Sequence, residues 1–237
     1  MRQKSYFIWN GIYSRDMGVL LEGRAPIVRP EERVTHVQIP GKSGDVTETE
    51  GQDVYNAYIQ TVSFGVVGAD RVNALFRWLR GDGYVTFSGE PDRRQRARVI
   101  GAITMDRVPM SPDSWKGSAQ FYCQPLKEAL SEAPVTLTDA GTITNGGDVP
   151  CYPVIIATPA LGETTIEITV NGRTLTITGA EGPVRIDCAA QEVSDEQRTV
   201  LYTENTGGPF PVLAVGSNTV GGSGWASMEI TKNARYL

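Results

Sequence analysis

The feature that most constrains the fold is the repeated alternation of short β-branched and aromatic runs with Gly, Pro, Asn and Asp. The clearest case is IEITV, Asn171-Gly172, RTLTI. Asn-Gly between two alternating runs is the strongest short-range sign of a type I′ β-hairpin. Short runs closed by tight turns are typical of antiparallel sheets. The sequence therefore predicts a mainly β protein.

The first half is predicted to add one amphipathic helix to its strands. In segment 70–80 (DRVNALFRWLR), four apolar residues recur at i, i+3, i+4 and i+7, and Gly81 follows as a stop signal. They form a single predicted stripe: Val72, Leu75, Phe76 and Leu79. We expect this helix to lie across one β layer. The strands expected around it are 6–9, 34–39, 58–67, 84–87, 97–105 and 118–123.

A domain boundary is predicted in segment 124–134 (QPLKEALSEAP), which lacks strand alternation and separates two regions of different charge. Residues 1–130 carry 17 Lys and Arg against 15 Asp and Glu, whereas residues 131–237 carry 5 against 12. We expect one domain over 1–128 and a second, a β-sandwich, over 134–237. Strands of the second are expected at 135–138, 151–157, 164–170, 174–178, 184–187, 212–213 and 226–231.

Composition argues against several classes of protein. A net charge of −5 does not suit a dedicated DNA-binding protein, because duplex affinity comes largely from neutralised phosphates. No apolar run approaches a membrane span, and the N-terminus lacks a signal-peptide core. The cysteines Cys123, Cys151 and Cys188 are too dispersed for a zinc or disulfide pattern. We expect reduced core thiols, no metal and no cofactor.

No catalytic constellation is predicted. His36 is the only histidine, and strand alternation places it on a face away from Thr35, Val37 and Ile39, so we expect a surface or interface residue and no general base. Gly41-Lys42-Ser43 resembles the end of a phosphate-binding loop, but the required earlier glycine and following helix are absent. The carboxylate pairs Glu163/Glu167 and Glu90/Asp92 fit solvated strand edges better than a hydrolase site.

An arginine run after position 92 leaves three interpretations open. In an extended strand, Arg94, Arg96 and Arg98 share one face at spacings of two. Such a stripe could be a solvated edge strand that charge protects from aggregation. It could also form salt bridges across a subunit interface, or face a passage for DNA.

Several motifs follow one another in order along the chain. An opening strand and turn (FIWNGI, then Ser14, Asp16 and Gly18) is followed by IPGKSGD with Gly51 and Tyr55-Asn56 behind it. The later motifs in the same order are YVTFS, EPD, CYPVI, IDC, GPFPVL and GSN. Together they resemble the distal tail (Dit) protein family of siphophages, whose signature IPGRSGDL…G.Y.N is similar to the second motif. The arginine run departs from the family pattern, so its role is not carried over.

The resemblance implies a non-enzymatic building block of the phage tail. It implies that an N-terminal β domain assembles as a hexameric ring joining the tail tube to the tip or baseplate, with an outer galectin-like β-sandwich as attachment hub. Implied partners are further copies of the chain, the tail tube protein, a tail-tip protein, and receptor-binding or fibre proteins. DNA would pass through the channel only transiently, and no membrane is involved. The implied location is the virion tail tip, after synthesis in the host cytoplasm.

Within this interpretation, the polar loop GKSGDVTETEG and its flanks are predicted to lie at the subunit interface. An ordinary surface loop remains the alternative. The predicted interface residues are Ile39, Pro40, Gly41, Lys42, Ser43, Gly44, Asp45 and Tyr55, and those predicted for the interface or lumen are Arg94, Arg96 and Arg98. A different class of function is a carbohydrate-binding module, in which Trp225, Tyr202 or Phe210 would stack on cell-wall sugar.

Overall fold

The computed structural model describes residues 5–109, 111, 113–199, 202 and 206–237. The chain divides into two compact units, one formed by the chain up to Leu130 together with Leu237 and the other by Ser131–Tyr236. Both units are built almost entirely of antiparallel strands, which confirms the predicted mainly β class. Among the described residues, no helix is long and apolar enough to cross a bilayer.

The first unit is one antiparallel sheet with a helix and a separate hairpin. Its elements are β1 (Phe7–Trp9), β2 (Ile12–Tyr13), β3 (Val19–Leu21), β4 (Val34–Gln38), β5 (Asp45–Thr49), β6 (Tyr58–Val67), α1 (Ala69–Trp78), β7 (Asp82–Phe87), β8 (Arg93–Ile100), β9 (Met105–Arg107) and β10 (Ser114–Ala129). The strands of the sheet follow the order β2-β1-β7-β8-β10-β6-β3, and β9 pairs with β10. Strands β4 and β5 form a separate two-stranded sheet.

One face of this sheet carries an aromatic core. Strand β6 alternates strictly, with Val62, Phe64 and Val66 buried and the intervening residues outside. Phe121 lies between two aromatic rings of β1, with its centroid 5.5 Å from Phe7 and 5.4 Å from that of the tryptophan two residues later. The period-2 pattern thus makes one face of the sheet apolar and leaves the other to solvent.

Helix α1 covers this core, as predicted, but with a shifted stripe. Val72, Leu75 and Leu79 are buried, whereas Phe76 is 41% exposed, so its predicted place in the core is wrong. The apolar stripe instead extends to Trp78, whose ring stacks on Phe7 at 5.4 Å. The reason is geometric, because Trp78 and Phe76 lie on opposite edges of the stripe and only one edge meets the sheet.

Two predictions about strands in this unit are wrong. The strand expected at 97–105 starts earlier, at Arg93, and ends at Ile100, where Gly101 turns the chain with φ +70°. Segment 124–134, predicted as a linker without strand structure, continues β10 as far as Ala129. The register of β10 against β8 shifts between Cys123 and Lys127, and this bulge removes the alternation by which a strand is recognised.

The second unit consists of two five-stranded antiparallel sheets. Their strands are β11 (Val135–Leu137), β12 (Gly141–Asn145), β13 (Val154–Pro159), β14 (Thr165–Val170), β15 (Arg173–Thr178), β16 (Val184–Asp187), β17 (Glu192–Asp195), β18 (Thr206–Gly207), β19 (Gly216–Ser223) and β20 (Trp225–Thr231). The last short strand, β21 (Arg235–Tyr236), belongs to neither of these sheets. The sheet orders are β11-β20-β13-β16-β17 and β12-β19-β14-β15-β18.

One core joins both sheets of this unit, so the predicted β-sandwich is confirmed. Ile155 and Ile230 of the first sheet and Ile168 and Leu175 of the second belong to the same buried cluster. The predicted hairpin joins β14 to β15 with positive φ at both turn residues, 49° at Asn171 and 79° at the glycine after it. This is the geometry that a type I′ turn requires.

Strand β19 (GSNTVGGS) was not predicted, because glycine is depleted in strands. The structure shows why glycine is needed there. A Cβ on Gly222 would lie 1.9 Å from the carbonyl oxygen of Glu167 on the neighbouring strand β14. The segment 212–213, predicted as a strand, contributes only an isolated bridge between Leu213 and Cys151.

Candidate assembly interface

The β4–β5 hairpin, residues 34–49, is an exposed arm of the first unit. Its strands pair with each other from Val34 opposite Thr49 to Gln38 opposite Asp45. Nearly every residue on both faces is exposed to solvent. At about 3.3 Å per residue, the arm is roughly 17–20 Å long. An isolated two-stranded ribbon is only marginally stable in water, so such an arm gains stability from a binding partner.

The predicted interface residues 39–45 form the tip of this arm. All of them are exposed, and Gly41 and Gly44 have φ near +80°. The backbone amide of Lys42 donates to the carbonyl oxygen of Ile39 at 3.1 Å, which closes a turn. The tip is therefore an ordered, accessible turn that other chains could contact.

Tyr55, the last predicted interface residue, lies instead at the base of the arm. It is buried and forms an isolated bridge with Glu32. Beside it, Arg33 anchors the base, because its Nε donates to Oδ1 of Asn56 at 3.2 Å and lies 3.8 Å from a carboxylate oxygen of Glu50. The structure thus places Tyr55 with the residues that hold the arm and apart from its exposed tip.

The arm has two chemically different faces. Directly opposite residues point to the same side of a hairpin, so Val37 and Val46 share one face, with Glu48 and Thr35 beside them. The other face is polar, and there Oγ1 of Thr47 lies 3.1 Å from Nδ1 of His36. The histidine is thus an exposed strand residue, with a threonine hydroxyl as its hydrogen-bond partner.

The three arginines predicted to share a face do so on β8, but in different electrostatic settings. Arg94 pairs with Glu128 at 3.2 Å and lies over the ring of Tyr84 at 4.4 Å. Arg98 is 3.3 Å from a carboxylate oxygen of Asp82. Arg96 is exposed and makes no ion pair, hydrogen bond or ring contact with any residue that the structure describes. Two of the three charges are therefore neutralised within the chain.

Aromatic and apolar side chains flank these arginines on the outer face of the sheet. Tyr84 lies opposite Arg96, and Tyr122 lies opposite both Arg98 and Ile59. Both tyrosines and the isoleucine belong to the exposed large apolar residues of the chain. Sequence reasoning missed this grouping. Strand alternation marks each residue as outward-facing, but their proximity depends on which strands pair.

A buried ion pair lies beside β8, the strand that carries the arginines, and holds it in position. Nζ of Lys127 is 2.7 Å from Oε2 of Glu90, and the lysine side chain is only 5% exposed. Arg93 approaches the same carboxylate at 3.1 Å. Next to them, the hydroxyl of Tyr58 donates to Oε1 of Gln95 at 3.1 Å, and burial raises the pKa of Tyr58 to about 12. Glu90 is thus engaged in structural pairs.

The thiols are buried and weakly acidic. Burial raises the pKa of Cys123 and Cys188 to about 12 and that of Cys151 to about 11. A nucleophilic thiol needs the opposite environment, one that stabilises the thiolate. Within the described ranges, no group of three or more His, Cys, Asp or Glu side chains is placed to hold a metal ion.

The aromatic residues considered as a sugar platform pack inward. Tyr202, Phe210 and Trp225 are partly buried against the core of the second unit. The indole Nε1 of Trp225 is itself buried, whereas a stacking platform presents an open ring face to the ligand. A cavity of about 250 Å³ does lie beside Phe210, between Asn171 and Pro211.

Comparisons with known proteins give one informative result. No family model and no curated protein sequence matches the chain. Among solved structures, the chain is similar to the SPP1 Dit (gp 19.1) protein, described as a paradigm of hub adsorption apparatus in Gram-positive infecting phages. The TM-score is 0.78 at 19% sequence identity, over 98% of this chain and 99% of that one. The chain therefore has the fold of a phage distal tail protein over nearly its whole length, and the resemblance predicted from its ordered motifs is confirmed at the level of the fold.

Proposed function

We propose that this chain is a structural protein of a phage tail tip, which forms a homo-hexameric ring between the tail tube and the tip or baseplate and serves as an attachment hub. The observation that carries the proposal is the similarity to SPP1 Dit, which includes both units and leaves almost no part of either chain unmatched. Many unrelated proteins share one fold, so similarity in a single domain would be weaker support than similarity in both units of the same chain.

In this proposal the unit up to Leu130 makes the ring and Ser131–Tyr236 is a peripheral galectin-like sandwich. A cyclic ring needs two different complementary patches on each copy. The first unit offers an exposed arm, with residues 39–45 at its tip, and an exposed sheet face around Arg96. The second unit carries all of the acidic excess, with 5 Lys and Arg against 12 Asp and Glu, and would receive receptor-binding or fibre proteins.

The chain would act without catalysis. Its thiols are buried, His36 is an exposed strand residue, and Glu90 is bound to Lys127 and Arg93. DNA would contact it only in passing through the channel, consistent with a net charge of −5. The remaining partners would be the tail tube protein and a tail-tip protein, with no membrane contact. Its place would be the virion, after synthesis in the host cytoplasm.

The proposal is tested by the mass and symmetry of the purified full-length chain. Native mass spectrometry across a concentration series, with negative-stain micrographs of the same samples, should show closed rings of six copies. If the purified chain stays monomeric, the same measurements are repeated with the tail tube protein as a template. A chain that remains monomeric under both conditions, or that forms open filaments, would overturn the hexameric ring.

A further inference from the structure

We propose that the arm of one copy binds the arginine face of the next, with the Val37, Val46 and Glu48 side of the arm against Tyr84, Arg96 and Tyr122. The inference rests on the proposed ring and names the two surfaces that close it. The bound partner is a second copy of this chain. Glu48 of one copy pairs with Arg96 of its neighbour, and the valines lie against the tyrosine rings.

The arm offers one side that combines apolar surface with negative charge. Val37 is 40% exposed although it lies in a regular strand, and Val46 is directly opposite it. Glu48 is exposed on the same side and has no ion-pair partner among the described residues. Exposed Val37 and half-buried Val46 adjoin this carboxylate, so one side of the arm presents apolar surface together with a negative charge.

The sheet offers the opposite combination. Tyr84 is 38% exposed and Tyr122 is 41% exposed, and they lie on β7 and β10, the two strands that flank β8. Arg96 lies opposite the first of these rings and has no partner in its own chain within the described residues. Tyrosine and arginine are among the residues enriched in the central parts of protein interfaces.

The two surfaces match in both charge and polarity. Each has an apolar centre and one unpaired charge, and the charges are of opposite sign. A single ion pair against aromatic rings loses less to solvent screening than an exposed surface pair does. Because the two patches differ, their contact is heterologous and propagates around an axis, as a ring requires.

The charges on β8 favour a protein partner over DNA. Arg94 and Arg98 are paired with Glu128 and Asp82 in the same chain, so Arg96 is the free cation of the stripe within the described residues. Duplex binding depends on neutralising several phosphates at once. One free guanidinium suits a single carboxylate on a neighbouring copy.

Cysteine cross-linking between two singly substituted full-length chains tests the contact directly. Glu48→Cys and Arg96→Cys proteins are mixed and treated with a short bismaleimide that links two thiols, and the native thiols do not interfere because Cys123, Cys151 and Cys188 are buried. A direct disulfide needs Cβ atoms about 4 Å apart, closer than an ion-paired Glu and Arg place them, so the spacer bridges the gap that the two long side chains leave. We expect a covalent dimer from the mixture and none from either variant alone.

The matched control is Thr47→Cys, one residue away on the opposite face of the arm. Mixed with the Arg96→Cys protein, it should cross-link at least tenfold less. Equal yields from the two mixtures, or no dimer from either, would overturn the proposed contact.

Charge exchange gives a second, independent readout. Glu48→Arg and Arg96→Glu should each abolish rings, and the double variant should restore them. If the wild-type chain forms rings that neither single variant disturbs, the contact is wrong while the proposed function stands. If Arg96→Glu leaves rings intact but removes binding of a fluorescent DNA duplex, Arg96 faces the channel and the inference is overturned.

Discussion

The buried ion pair between Lys127 and Glu90 gives the sharpest test of what stabilises β8 in the first unit. The variant Glu90→Gln keeps the shape of the side chain and removes its charge. Lys127 would then remain as a cation whose side chain is 5% exposed, without the carboxylate that lies 2.7 Å away but still donating from Nζ to an oxygen of Leu237 at 3.2 Å. Breaking a buried pair in this way typically costs about 3–5 kcal/mol, and we expect about 3 kcal/mol because Glu90 is 20% exposed and Leu237 still accepts from the lysine.

Thermal unfolding of the full-length chain, followed by calorimetry, measures this loss. For a unit of this size, ~1 kcal/mol lowers Tm by roughly 4 °C, so the transition of the first unit should fall by about 12 °C. The matched control is Asp82→Asn, which removes the partner of Arg98 from a pair whose side chains are 61% and 62% exposed. Exposed pairs are worth about 0–1 kcal/mol, so this variant should shift Tm by less than about 4 °C. Equal shifts for the two variants would refute the assignment of Glu90 as the counter-charge.

Three further predictions concern the cores and close packing. Because burial raises the pKa of Cys123 and Cys188 from 9.0 to about 12, the contribution of each neutral thiol to the free energy of unfolding is fully present below about pH 9 and is lost as the pH rises from 9 to 12. Urea unfolding should give a lower free energy of unfolding at pH 10.5 than at pH 8, with a slope of roughly 1 kcal/mol per pH unit above pH 9 for each thiol, and a pH-independent midpoint would contradict it. Gly222→Ala should cost more than about 3 kcal/mol by thermal melting, since its Cβ would meet a carbonyl oxygen of β14 at 1.9 Å, whereas Gly172→Ala, with open space, should cost about 1 kcal/mol. Trp225→Ala should lower the stability of the second unit by about 2 kcal/mol without changing glycan binding in a pull-down with cell walls, and a loss of glycan binding at unchanged Tm would favour a sugar platform.

Local signals predicted the elements whose residues determine their own conformation. The strand Tyr58–Val67 has the predicted limits because it alternates without interruption. The turn at Asn171-Gly172 forms as expected, since both residues adopt positive φ at low cost. The helix was found for the same reason, although its end at Trp78 precedes the predicted end by two residues.

The errors arise where tertiary contacts override the local pattern. Strand β19 contains glycines because neighbouring backbone leaves no space for side chains, and β10 is interrupted by a bulge between Cys123 and Lys127. Periodicity could not show which edge of the helix stripe meets the sheet, and therefore Phe76 was misplaced.

The candidate interface was predictable only in part. The polar loop after Ile39 and the common face of the three arginines follow from local sequence. The neutralisation of two arginines does not, because Asp82 and Glu128 come from other strands and meet them only through pairing. For the same reason, the position of Tyr55 at the base of the arm required the structure.

The measurement that tests the central claim most directly is the copy number and position of this chain in assembled phage particles. Cryo-electron microscopy of the virions, with gold-labelled antibody against the purified chain, should show six copies in one ring where the tail tube meets the tip. Density that fits this chain elsewhere in the particle, or an absence of label from the virion, would contradict the account.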